Sequence, residues 1–232
     1  MLLCYIFKKE INLSNIKSNY KVNQFDMLFY IKSLFQLMKP RVMSLVLFTS
    51  MVGLLIAPEK VSFAVSIMSL FAVALGAGAA GALNMWYESD LDALMTRTCL
   101  RPIPTGKVPK SQALWFGTIL SLISISLLYV TANLVSSILL ATTIGFYFFI
   151  YTIWLKRRTS QNIVIGGAAG ALPPVIGWAI ATNSISVESI ILFLIIFIWT
   201  PSHFWALSLY KSSDYKKAKI PMLPITAGIK TT

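Results

Sequence analysis

Charged residues are scarce in this 232-residue chain: Asp, Glu, Lys and Arg make up 12% of it, while hydrophobic residues make up 56%. That balance excludes an ordinary soluble domain and is typical of a protein that crosses a membrane several times. Acidic residues are the scarcer charged class, with 8 against 20 basic residues. Because the basic residues lie between apolar segments rather than in an even patch, the expected partner is the lipid bilayer and not nucleic acid.

Cysteine and histidine are also nearly absent, with two cysteines and one histidine in the whole chain. Cys4 and Cys99 lack the spacing of a metal–thiolate site, which excludes that class of metal centre. The first 40 residues lack the apolar core and small-residue cleavage site of a secretory signal. We therefore expect residues 1–40 to form a basic segment, with an interfacial amphipathic helix at 27–37 and Met27 as an alternative start.

Six apolar segments follow, each close to the ~20 residues that a helix needs to cross the hydrocarbon core. They lie at about 42–57, 62–87, 112–131, 133–154, 163–182 and 187–210. All must be helices, because strand edges cannot be left unpaired in lipid. The sequence predicts an all-α polytopic membrane protein, with its membrane domain over residues 41–232.

The basic residues predict the orientation of these helices. Lys60 is the only basic residue on alternate loops, and the other nineteen of the twenty fall on one side. By the positive-inside rule the N-terminus is cytoplasmic in a bacterial inner membrane, or faces the matrix in a mitochondrial inner membrane.

An acidic cluster follows the second apolar segment. On a helix, Asn84, Glu88 and Asp92 share one face because they recur every fourth residue, while Asp90 lies to the side. Mg²⁺ takes oxygen ligands and usually shares one or two carboxylates with substrate phosphates. The cluster therefore predicts a metal–diphosphate site, and the alternative is a polar helix end whose carboxylates are balanced by neighbouring arginines.

Further polar groups lie on the same predicted face of the membrane. Arg97 and Arg101 suit bidentate binding of phosphate oxygens. The stretch 200–228 has Asp214 as its only carboxylate, among lysines. Alone it is typical of a basic loop at anionic lipid head groups, and beside the first cluster we expect it to complete a diphosphate pocket. His203 lies inside the last apolar segment, where a hydrogen-bonded helix histidine is the alternative to an iron ligand or proton carrier.

Two segments rich in small residues, 76–82 and 166–171, precede the acidic cluster and the Pro173-Pro174 pair. Small residues let helix backbones approach closely. We expect these glycines to serve helix packing rather than ligand contact.

At these residues the chain resembles the membrane-embedded prenyltransferases of the UbiA superfamily, and within it the branch that farnesylates haem. The motifs that carry the resemblance lie at 39–42, 84–92, 97–106, 151–159, 162–167, 173–178, 201–205 and 220–224. The resemblance implies a bundle of nine helices around a central cavity. Six of them are present here, so we expect the chain to be truncated at its C-terminus and not self-sufficient as an enzyme.

The resemblance also implies a reaction, in which the farnesyl group of farnesyl diphosphate is transferred to a vinyl group of protohaem IX, with Mg²⁺ as cofactor. The product is haem O, the precursor of haem A, so haem A synthase is an expected partner. The implied catalytic residues are Asn84, Glu88, Asp92, Arg97 and Arg101. The implied metal ligands are Glu88, Asp90, Asp92 and Asp214. The implied substrate-binding residues are Tyr151, Lys156, Arg157, His203 and Asp214.

The sequence departs from the family pattern at two positions. Glu88 stands where aspartate is typical, and Ser213 stands where close relatives commonly have a further aspartate. Alternatives stay open at this point: another aromatic prenyltransferase, a non-catalytic remnant, or a transporter subunit. A transporter is disfavoured because its ion sites lie near the bilayer midplane, whereas these acids lie at helix ends.

Overall fold

A computed structural model of the chain describes residues 24–210, residue 215, residues 220–221, residues 223–226 and residue 228. Every regular element in that part of the chain is a helix. The elements are α1 (Gln24–Leu37), α2 (Pro40–Ile56), α3 (Phe63–Tyr87), α4 (Ser89–Asp92), α5 (Lys110–Thr131), α6 (Leu134–Gly145), a π-helix (Phe146–Leu155), α7 (Asn162–Ala171), α8 (Pro173–Thr182), α9 (Val187–Tyr210) and α10 (Leu223–Thr226). Residues 1–23 of the predicted basic segment, and Asp214, lie outside the described residues.

The long helices are membrane spans. Five are long and apolar enough to cross a bilayer: Phe63–Tyr87, Lys110–Thr131, Leu134–Leu155, Asn162–Thr182 and Val187–Tyr210. A sixth span results if Met27–Leu37 and Pro40–Ile56, which meet at 52°, are taken together. All six predicted segments are therefore helical, and the prediction of an all-α polytopic membrane protein is confirmed.

Two spans are not uniform α-helices. The span that begins at Leu134 changes from α-helix to π-helix at Phe146. The next span is divided between α7 and α8, with Pro173 in the first turn of α8. A proline is tolerated there because the first amides of a helix have no partner within the helix.

Helix α3 packs against α2, α5 and α6, and helix α2 packs against α8. The α2–α8 contact is backbone against backbone: a β carbon on Gly177 would lie 1.9 Å from the carbonyl oxygen of Ser50, and one on Gly53 would lie 2.0 Å from that of Pro174. The Ser50 hydroxyl also donates a hydrogen bond to the Pro173 carbonyl at 2.9 Å. Glycine is therefore required at these two positions for the helices to come this close.

Candidate active site

The predicted face of Asn84, Glu88 and Asp92 forms a buried column. Their exposed fractions are 1%, 2% and 1%. Helix α3 ends at Tyr87, but the Glu88 amide donates to the Asn84 carbonyl at 2.9 Å and the Asp92 amide donates to the Glu88 carbonyl at 2.8 Å. These i, i+4 bonds continue the helical register across the break, so all three side chains stay on one face.

Both carboxylates of the column have basic partners. Lys156 Nζ donates to Glu88 Oε2 at 2.6 Å. Arg101 Nη1 donates to both carboxylate oxygens of Asp92, at 2.9 and 2.8 Å. The described residues hold no group of three or more acidic, histidine or cysteine side chains placed to bind a metal. The ion pairing that the sequence analysis kept as an alternative is thus present in the structure. One of the basic partners, Lys156, directly follows the π-helix.

Asp90 belongs to a separate ion pair. Its side chain is 57% exposed, and Arg157 donates to both of its oxygens at 3.0 and 2.8 Å. Burial alone would raise the pKa of Asp90, but the hydrogen bonds from Arg157 outweigh it and hold the pKa below its usual value. The Arg157 guanidinium also lies 5.0 Å from the centre of the Tyr87 ring. The structure therefore places Asp90 and Arg157 at the rim, outside the buried column.

Arg101 is positioned by a chain of turns between α4 and α5. The Arg101 amide donates to the Thr98 carbonyl at 3.0 Å, and the Thr105 hydroxyl donates to the Arg101 carbonyl at 2.8 Å. Gly106 closes the turns with φ of 75°, a conformation that favours glycine. Arg97, in the same loop, is exposed and forms no ion pair with another described residue. This loop supplies one paired and one unpaired guanidinium beside the column.

The π-helix supplies Lys156, Tyr147 and Tyr151. The tyrosine rings stack with centroids 5.3 Å apart, and Lys156 Nζ lies 5.7 Å from the centre of the Tyr151 ring. Burial opposes the charged form of Lys156, but the Glu88 carboxylate outweighs it, so the pKa of Lys156 is raised. Short π-helical segments often occur at functional sites. Here the segment sets an aromatic surface beside a charged lysine.

Sequence reasoning missed two residues of this site, Lys39 and Thr152. The Lys39 ammonium donates a hydrogen bond to Asn84 Oδ1, and Asn84 Nδ2 donates to Thr152 Oγ1 at 3.0 Å. The Lys39-Pro40-Arg41 motif was available as a signal, but the positive-inside rule already accounts for basic residues at a membrane boundary. Thr152 carries no sequence signal of its own.

His203 lies on the exposed side of α9. Its ring stacks on Trp199 with centroids 4.2 Å apart, and meets Phe204 edge-on at 5.4 Å. Helix α9 packs against α7, α8 and α10. Among the described residues, the ring contacts of His203 are with aromatic side chains of its own helix.

The helical bundle has the fold of two proteins of known structure. The chain superposes on digeranylgeranylglyceryl phosphate synthase with a TM-score of 0.71 at 19% identity, over 87% of this chain and 71% of that one. It also superposes on a UbiA homologue from Archaeoglobus fulgidus, solved with DMAPP and Mg²⁺, with a TM-score of 0.69 at 15% identity, over 86% of this chain and 70% of that one. At these identities the likeness shows the fold.

The family follows from sequence. The UbiA prenyltransferase family model matches residues 46–232, and the chain belongs to that family. It is 69% identical over 214 residues to a protoheme IX farnesyltransferase of Pelagibacter ubique (strain HTCC1062), covering 92% of this chain and 70% of the relative. It is 58% identical over 202 residues to that of Ehrlichia ruminantium (strain Welgevonden), covering 87% and 68%. The chain thus spans about two thirds of the length of these relatives.

The buried column fits a magnesium ion that is bound jointly by the protein and by substrate phosphates. The atoms it offers as metal ligands are oxygens, and Mg²⁺ bound with a phosphorylated substrate usually takes only one or two protein carboxylates. Glu88 Oε1 is buried and accepts no well-directed hydrogen bond from a described residue, although Lys156 is in ion-pair contact with it. A lone pair on Glu88 therefore remains for a cation.

Proposed function

We propose that this chain transfers the farnesyl group of farnesyl diphosphate to a vinyl group of protohaem IX and so produces haem O. The observation that carries the proposal is the 69% identity to a protoheme IX farnesyltransferase, over 92% of this chain. The site agrees with it, because a buried set of carboxylates and basic groups suits a diphosphate and its metal ion.

In this proposal the diphosphate lies beside the buried column. Glu88 and Asp92 would hold Mg²⁺, and the ion would supply positive charge that stabilises the departing diphosphate. Arg97, which has no ion pair among the described residues, binds phosphate oxygens with Arg101. Asp214, from the second polar stretch, completes the metal ligands in this proposal. Asp90 has a lesser role, because it is exposed and paired with Arg157.

The reaction needs the protein to hold charges and exclude water. The C–O bond of farnesyl diphosphate breaks, and its electron pair leaves with the diphosphate. The π electrons of the haem vinyl group then form a C–C bond to the allylic cation, and water adds to the new cation with loss of a proton. Tyr147 and Tyr151 offer aromatic faces that stabilise a nearby cation. Lys156 stays charged beside Glu88 and stabilises the leaving diphosphate.

The porphyrin requires a flat apolar surface. We propose that the stacked pair of Trp199 and His203 on α9 helps to orient it.

We also propose that the site faces the bacterial cytoplasm or the mitochondrial matrix, and that haem A synthase receives the product. The first of these rests on the distribution of basic residues, and the second on the chemistry of haem O.

Expression in cells that lack their own haem O synthase tests the function. We expect haem O to appear in chromatograms of extracted haem, and to be absent from cells with the empty vector. Chain that is present in the membrane without any haem O would contradict the proposal. Prenylation of a quinone precursor by the same membranes would instead favour another aromatic prenyltransferase.

A further inference from the structure

We infer that Lys39 binds the diphosphate directly and is held ready for it by α3 and the π-helix. This inference rests on the proposed function, since it takes farnesyl diphosphate as the substrate. The observations that carry it are the backbone conformation of Lys39, the packing around it, its hydrogen bond and the charges of its neighbours.

The backbone at Lys39 is strained. Its φ and ψ are 53° and 65°, in the left-handed region, immediately before Pro40 at the start of α2. Among the described residues, only Asn183 shares a positive φ without being glycine. Asparagine tolerates this region, whereas a lysine there costs on the order of 1–3 kcal/mol. Such strain persists where surrounding structure enforces it, and it is concentrated at functional sites.

Small residues of α3 enforce the position of Lys39. A β carbon on Gly78 would lie 2.5 Å from Met38 Cε, and one on Gly81 would lie 3.1 Å from the Met38 carbonyl oxygen. The turn between α1 and α2 therefore sits directly on α3, one helical turn before Asn84. This contact brings the Lys39 side chain to the top of the buried column.

Asn84 fixes the direction of the Lys39 ammonium. Its Oδ1 accepts from Lys39, and its Nδ2 donates to Thr152 Oγ1. The Thr152 hydroxyl in turn donates to the Tyr147 carbonyl at 2.9 Å. Asn84 therefore acts as a positioning residue for Lys39, because it holds the ammonium at Oδ1 while its Nδ2 is held by Thr152.

Lys39 lies among charged groups but lacks an anionic partner of its own among the described residues. Glu88 and Asp92 are already paired with Lys156 and Arg101, and Lys39 forms no ion pair with a carboxylate of the described residues. The neighbouring charges are mixed, since Arg101 and Lys156 repel the Lys39 ammonium while Glu88 and Asp92 attract it. A diphosphate beside Lys39 would supply the anionic partner that this ammonium lacks.

The test measures binding rather than turnover. The purified chain in lipid nanodiscs is titrated with the thiodiphosphate analogue of farnesyl diphosphate, which resists ionisation, in the presence of Mg²⁺. We expect Lys39→Met to bind about tenfold to hundredfold more weakly, as for a lost charged hydrogen bond. Lys39→Arg keeps the charge and retains most of the affinity. Lys110→Met, at an exposed lysine that contacts Trp86, is the matched control and binds like the wild type.

Undiminished binding by Lys39→Met would overturn the inference. If the analogue binds as expected but no haem O forms, the proposed function fails while the role of Lys39 stands.

Discussion

Glu88 and Asp92 are buried carboxylates at the end of a membrane span, and the chain keeps each beside a basic group. Buried ion pairs are weak evidence for stability, since apolar residues of similar volume often stabilise a protein equally well or better. Stability alone therefore gives little reason to keep these ion pairs. We propose that the charged groups of the column exchange partners when a charged substrate binds.

The two aspartates near this column should differ in importance. Asp92→Asn removes a buried carboxylate beside Arg101, so we expect the rate of haem O formation to fall on the order of 100-fold or more. Asp90→Asn removes an exposed carboxylate, so we expect a loss of less than about tenfold. Rates are compared at equal amounts of protein in the membrane. Equal losses for the two variants would show that the column is not the centre of the site.

At the scale of elements, the contact between α7 and the π-helix sets the position of Tyr151. A β carbon on Gly166 would lie 2.2 Å from Tyr151 Cδ2, whereas one on Gly170 would meet nothing within 4 Å. We expect Gly166→Ala to destabilise the protein by about 1–3 kcal/mol through overpacking, and to raise KM for farnesyl diphosphate as Tyr151 shifts. Gly170→Ala, in the same helix, is the control and changes stability by no more than about 1 kcal/mol.

Thermal unfolding in detergent and initial rates at varied farnesyl diphosphate measure the two effects. A Gly166→Ala variant that behaves like Gly170→Ala would mean that Tyr151 has freedom the structure does not show. If Gly166→Ala lowers the stability but leaves KM unchanged, the contact between Gly166 and Tyr151 serves packing alone.

The helices were predictable from sequence because each span is a long apolar segment, and lipid leaves helix as the available conformation. The common face of Asn84, Glu88 and Asp92 was predictable because helical hydrogen bonds continue through Glu88. The π-helix was not, since Phe146–Leu155 has no proline or glycine to mark a change of helix type. Nor was the site role of Lys39, which depends on contacts between residues far apart in sequence.

At the scale of the whole molecule, the orientation in the membrane follows from loop charge. In a background with Cys4 and Cys99 replaced by serine, single cysteines at Lys107 and Asn183 occupy exposed positions on opposite predicted sides. We expect a membrane-impermeant thiol reagent to label Lys107→Cys from the cytoplasmic or matrix side and Asn183→Cys from the other. The reverse pattern would overturn both the orientation and the side on which the diphosphate enters.

The whole chain also has to close its site well enough to protect an allylic cation from water. The most direct measurement is therefore haem O formation by the purified chain, reconstituted in lipid with farnesyl diphosphate and protohaem IX. The proposed function predicts haem O with Mg²⁺ present, a loss of product when the ion is chelated, and recovery when Mg²⁺ is restored. This is the opposite of the expectation from sequence that the chain is not self-sufficient, so the measurement decides between the two. Haem O formed equally well with excess chelator would contradict the role given to Glu88 and Asp92, and no haem O under any of these conditions would contradict the proposed function.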